Sequence, residues 1–250
     1  PVLKMNYESA ELAKISINMC LVASVSVANT MAEICENVGA NWSEIVPSLR
    51  LDKRIGKYSY LKPGLGIAGG NLERDLNTII QLSKKHQTDG SVVAAWIKNS
   101  EHRRDWVWRM LNKKVLDIVP NARIGVLGLT YKENTHSTKN SPSLALLNHL
   151  DGFDVVVHDP AVTVETTVLI KSVDRAEDAA KDADILIIMT PWPEYRQIDL
   201  KKIFSVMKGK IILDPYATLN RKAVTAAGLD YLTLGVSELL NYTTETVIHG

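Results

Sequence analysis

The sequence predicts an α/β protein in two unlike halves, an all-helical segment over residues 1–118 and a Rossmann-like parallel-sheet segment over residues 119–250. Three observations carry this. From Glu8 to about Asp117 the apolar residues recur with a helical period, and no run alternates as a strand does. Beyond Pro120, short Val- and Ile-rich runs alternate with helical stretches, the pattern of parallel strands joined by right-handed crossovers. Hydrophobic residues make up 46% of the 250 and charged residues 23%, enough apolar material for a true core.

In the first half one long helix is expected over Glu8–Val38, closed by Gly39, where a left-handed residue ends a helix well. A short helix over Trp42–Leu51 follows, capped by Asn41 or Ser43. A glycine-rich loop then runs from Lys57 to Gly70. Two further helices are expected over about Leu72–Lys85 and Gly90–Val119. In the second half, strands are expected at Arg123–Leu127, Asp154–His158, Ile185–Thr190 and Lys210–Asp214. The helices between them are placed at Ser141–Leu150, Thr163–Leu169, Arg175–Lys181 and Leu200–Met207.

Several function classes are disfavoured. Lys+Arg 29 against Asp+Glu 28 leaves a net charge of +1, without the basic excess that phosphate backbones demand, so no nucleic-acid partner is expected. The basic and aromatic stretch His102–Arg109 reads as a charged outer helix face over a tryptophan-lined inner one. The six histidines lack metal-ligand spacing, and no metal site is expected. Cys20 and Cys35 lie about 22 Å apart along one helix, too far for a disulfide, which suits a reducing compartment and the cytoplasm. The apolar run Ile15–Val27 is short and broken by Asn18, Ser24 and Ser26, so it is not expected to span a membrane. The start at Pro1, without Met and within ten residues of a helix, reads as a cut end.

Three features carry chemistry. The loop through Gly64, Gly66, Gly69 and Gly70 feeds a helix. It serves either to bring backbone amides close to an anion or merely to turn the chain. No strand precedes it, so it is not the dinucleotide fingerprint. Lys14 and Asn18, four residues apart, share a face with Val22, Val25 and Asn29. They either find partners there or the lysine reaches water from the edge of the stripe. Gly125-x-x-Gly128 ends a strand and leads to Lys132. That lysine is either at the ligand-gathering edge of the sheet or solvated in an ordinary loop.

Taken in order, these pieces resemble the UDP-glucose/GDP-mannose dehydrogenase family. The resemblance rests on Ala10-Glu11-Leu12-Ala13-Lys14 with Asn18 and Asn29, on Asp52 to Gly56, and on Gly64 to Asp75. It continues through Val126 to Lys132, Ser141-Pro142, His158-Asp159-Pro160 and Thr190-Pro191-Trp192. It implies a homodimer and NAD-dependent oxidation of the primary alcohol of a UDP- or GDP-linked sugar. It also implies a separate N-terminal NAD-binding domain, which these 250 residues do not include. By the same resemblance Lys14 and Asn18 hold an oxyanion, and Asp75 assists water. Arg54, Tyr58, the four loop glycines, Lys132 and Lys139 face the nucleotide sugar, with Lys132 and Lys139 also near the cofactor. Asn71 stands where the family carries its nucleophilic cysteine, and an amide cannot make a thioester. Arg74 replaces a lysine, and Asp214-Pro215-Tyr216 lacks the family's arginine. The alternative implied is a non-catalytic nucleotide-sugar-binding or dimerisation module.

Overall fold

The computed structural model describes residues 1–165 and 167–238. The first half is helical. Helix α1 spans Tyr7–Val38, opened by Asn6, whose side chain accepts from the Ser9 amide, and closed by Gly39 at φ 80°. Helix α2 spans Trp42–Leu51, and Asn41 is its cap, accepting from the Ser43 amide. Helix α3 spans Asn71–His86.

The single helix expected over Gly90–Val119 is broken. It comprises α4 (Ser91–Arg104), α5 (Trp106–Leu111) and a π-helical turn, Asn112–Leu116, with Asp105 at φ −84°, ψ 6° between the first two. The break turns two side chains onto one carboxylate of α1. Arg103 Nη2 donates to Glu36 Oε1 at 2.8 Å, and Trp106 Nε1 donates to Glu36 Oε2 at 2.8 Å. Periodicity does not register such a break, because the apolar positions keep their spacing across it.

The second half is a six-stranded, wholly parallel sheet of order β3-β2-β1-β4-β5-β6. Its strands are β1 (Arg123–Leu127), β2 (Asp154–His158), β3 (Ile170–Ser172), β4 (Ile185–Ile188), β5 (Ile211–Leu213) and β6 (Asp230–Leu232). Helices α6 (Pro142–His149), α7 (Ala176–Ala179), α8 (Leu200–Val206) and α9 (Arg221–Ala226) join them. The helix expected at Thr163–Leu169 is a misreading: residues 163–165 and 167–169 are irregular and lead into β3. Strands β3 and β6 and helix α9 were not expected. The two strands have three residues each and mix apolar with polar or charged residues, so they carry no Val/Ile run. The central strands β1, β2 and β4 are buried on both faces, as a sheet covered by helices on each side requires.

Helix α1 is longer and more apolar than the run Ile15–Val27 suggested. Its best 18-residue window has a mean hydropathy of 1.5, so by length and composition it is able to cross a membrane. Within the fold its polar residues Asn18, Ser26 and Asn29 are buried. Ile17, Val27 and Ile34 are exposed.

The two halves touch through specific bonds. Trp42 N donates to Gly235 O at 2.7 Å, and Gly235 N donates to Glu36 Oε1 at 2.8 Å. Beside Glu36, Glu33 receives His102, Arg103 and Arg109. Burial raises the Glu33 carboxyl, but the His102 hydrogen bond and the neighbouring positive charges outweigh it and leave the group below its usual range. Because the folded value is depressed, the stabilisation is present above the ordinary glutamate range of about pH 4.3 and lost as pH falls through the folded value. The difference in melting temperature between the parent and Glu33→Gln is therefore expected to shrink on acidification below about pH 4.

Candidate functional site

Two amides of α1 pin the glycine loop at its ends. Asn29, almost fully buried, accepts from Gly64 N at 2.8 Å. Asn18 Nδ2 donates to Asp75 Oδ2 at 2.6 Å, one turn inside α3. Of the two possibilities for the α1 stripe, the asparagines have partners and Lys14 is exposed. Helix α4 holds the loop's middle: Ile67 N donates to Ser100 Oγ at 2.7 Å, and Arg104 Nη2 donates to Ile67 O at 2.8 Å. The second half closes over the loop's end. Gly69, at φ 78°, lies under Tyr131, and Gly70 lies under Lys139. Asn140 Nδ2 donates to Gly69 O at 2.9 Å and also bonds Glu73.

Between α1, this loop and the β1–α6 connection is a cavity of about 430 Å³. Its floor is apolar, from Leu21, Val22 and Leu65. Its lining also carries Lys62, Lys132, Glu133, Tyr131 and Tyr216. Two ammonium groups against one carboxylate, over a largely apolar hollow, suit a ligand with a flat body and an anionic arm. Burial pushes the Tyr216 hydroxyl above the ordinary tyrosine range, so it stays protonated.

Of the residues singled out from sequence, Gly64, Gly66 and Lys132 line this cavity. Gly70 and Lys139 line a neighbouring cleft of about 400 Å³, together with Glu73, Arg74 and Asn77. Asn18 and Asp75 pair behind the loop, and Asn71 is exposed at the start of α3. Arg54 and Tyr58 lie elsewhere, with 90% of the Arg54 side chain exposed and Tyr58 92% exposed. Arg54 is paired with Asp52 at 2.6 Å. Lys62, two residues before Gly64, and Tyr216, at the end of Asp214-Pro215-Tyr216, also line the cavity, and neither carries a sequence signal for it. Among the described residues no three His, Cys, Asp or Glu side chains group to hold a metal ion.

Residues 8–101 match the sequence model of the UDP-glucose/GDP-mannose dehydrogenase family central domain, and residues 125–221 match that of its UDP binding domain. UDP-glucose 6-dehydrogenase TuaD of Bacillus subtilis is 32% identical over 241 residues, 94% of this chain and 52% of that protein. A UDP-glucose 6-dehydrogenase of Rhizobium meliloti is 30% identical over 244 residues, 94% of this chain and 55% of its own. The structure of a UDP-glucose dehydrogenase from Pyrobaculum islandicum superposes with a TM-score of 0.79 at 26% identity, covering 93% of this chain and 52% of that one. The chain thus spans about half the length of the relatives it matches. With both sequence models matching in order and the fold shared along nearly all its length, the chain belongs to the UDP-glucose/GDP-mannose dehydrogenase family.

Proposed function

We propose that this chain supplies the central and nucleotide-sugar-binding parts of a cytoplasmic, homodimeric, NAD-dependent dehydrogenase. The intact enzyme acts on the primary alcohol of a UDP- or GDP-linked sugar. The observation that carries the reading is the 430 Å³ cavity, where glycine-loop backbone from one half meets Lys132 and Tyr131 from the other. Lys62 and Lys132 receive the diphosphate, and the apolar floor takes the flat base. NAD supplies the hydride acceptor. Lys139, beside Gly70 on the second cleft, is the residue of this chain nearest in character to a cofactor contact. Asp75, held by Asn18 and by Arg74 at 3.3 Å, sits next to the loop, where it orients water. Asn71 offers no thiolate, so oxidation stops at the aldehyde. The exposed apolar residues of α1, Ile17, Val27 and Ile34 among them, form the dimer seam, and Arg54 and Tyr58 project towards the partner subunit's site.

The second reading, a nucleotide-sugar-binding or dimerisation module without catalysis, is favoured by one observation: an exposed carboxamide stands at the thiol position. Full-length protein incubated with UDP- and GDP-sugars and NAD separates the two. NADH formation supports the enzyme, and saturable binding without NADH supports the module. Absence of both binding and turnover defeats the enzyme and the binding module, and leaves a dimerisation role alone. In calorimetry, Lys132→Ala is expected to weaken nucleotide-sugar binding by about ten- to a hundredfold, the loss of one charge-assisted contact. An unchanged affinity places the ligand elsewhere.

A further inference from the structure

The strand order 3-2-1-4-5-6 is that of a dinucleotide-binding sheet. Its crevice lies where the connections from β1 and β4 leave in opposite directions. At that point the chain leaves β1 through Gly128, at φ 95°, and presents two consecutive amides, Leu129 N and Thr130 N. Neighbouring amides turned the same way make a concavity that accepts an anion. In a sheet that binds dinucleotide, phosphate fills it. Here a carboxylate of the chain itself does.

Asp159, one residue past β2 and 9% exposed, puts Oδ2 at 2.6 Å from Leu129 N, 3.1 Å from Thr130 N and 3.4 Å from Thr130 Oγ1. The same oxygen accepts from Trp192 Nε1 at 3.1 Å, across the crevice. Oδ1 accepts from Ala161 N at 2.8 Å and Val162 N at 3.1 Å, so the carboxylate is held from its own side too. The facing lips are also tied, since Thr190 Oγ1 donates to Thr130 O at 2.7 Å. A side chain at Gly128 would meet the Thr190 Cβ at 2.5 Å, which shows how closely the two loops approach.

We infer that Asp159 is a specificity-determining residue. Its carboxylate stands in for phosphate in the crevice of this sheet, excludes a dinucleotide there, and leaves phosphate-bearing ligands only the lysine-rimmed cavity beyond Tyr131. NAD therefore does not fit this crevice despite the strand order. The missing third glycine of the fingerprint points the same way, but the charge already in place is the stronger obstacle, because a second anion beside it is repelled. The exclusion rests on the sheet alone, so failure of nucleotide-sugar binding at Lys132 leaves it standing; only the cavity left to those ligands rests on the proposed function.

The test reads the Leu129 and Thr130 amide and Trp192 indole resonances of the 15N-labelled chain. With NAD or inorganic pyrophosphate at millimolar concentration, all three are expected to stay where they are. Asp159→Ser removes the carboxylate and leaves room. This variant is expected to bind pyrophosphate at the same two amides about tenfold or more tightly than the parent does there, and to gain more melting temperature from it than the parent. Asp159→Asn, which keeps an acceptor oxygen but no charge, is expected to fall between. Saturable movement of the three resonances by NAD in the parent would overturn the inference. So would a folded Asp159→Ser chain that binds pyrophosphate no better than the parent, or an unfolded one that pyrophosphate fails to rescue.

Discussion

Replacing Glu36 with alanine is expected to lower the stability of the chain by about 3–5 kcal/mol, the cost of depriving a buried charge of its nearer carboxylate. Arg103 is 0% exposed and donates from Nη2 to this carboxylate. Trp106 Nε1 and Gly235 N lose their acceptor in the same change. Each of the three donors comes from a different segment, so the substitution loosens α4, α5 and the second half together. At roughly 2–4 °C per kcal/mol for a chain of this size, the melting temperature should drop by roughly 6–20 °C. Glu36→Gln, which keeps an oxygen for one donor, is expected to cost less. Glu36→Leu combined with Arg103→Met should recover part of the loss, because no charge then remains buried. A Glu36→Ala chain that melts within a degree of the parent would show that Glu33 alone suffices for Arg103.

Gly66→Ala is expected to cost about 2–5 kcal/mol, from two terms that a companion variant separates. Gly66 has φ 73°, which disfavours any side chain by about 1–2 kcal/mol. Its added methyl would also lie 2.7 Å from Ser100 Oγ and closer still to the Ser100 carbonyl oxygen. That overpacking adds about 1–3 kcal/mol. Gly56 has a similar φ of 88°, but nothing lies within 4 Å of a Cβ there. Gly56→Ala should therefore cost only the dihedral part, about 1–2 kcal/mol. Gly66 lines the cavity and the clash pushes the loop away from α4, so Gly66→Ala should also weaken nucleotide-sugar binding, whereas Gly56→Ala should not. Denaturant unfolding and calorimetry on both variants check this. Equal losses for the two would remove the steric argument.

Where a segment's structure follows from its own residues, the sequence was sufficient. The C-terminal end of α1 is local chemistry, with Gly39 in the left-handed turn, and so is the start of α2 at Asn41, whereas the Asn6 cap of α1 was not foreseen. The strands β1 and β2 are buried runs bounded by turns, and both were legible residue by residue. The order of the motifs along the chain sufficed for the family. The edge strands β3 and β6 were not legible, because a half-exposed three-residue strand has neither a run nor an alternation to read.

The site divides along the same line. That Gly64, Gly66 and Lys132 were candidates was readable from residue type and position, and the structure brings them to one cavity. That Asn18 bonds Asp75, 57 residues away, or Asn29 the Gly64 amide, 35 away, was not. Only the packing of α1 against the loop decides those pairs. The same holds for the break at Asp105 and for Asp159, a mere member of a His-Asp-Pro motif until the fold sets its carboxylate under Leu129 and Thr130. Residue type and period determine which segments fold and which face each buries. What a buried polar group meets depends on chain brought from far along the sequence, and no local pattern records that distance.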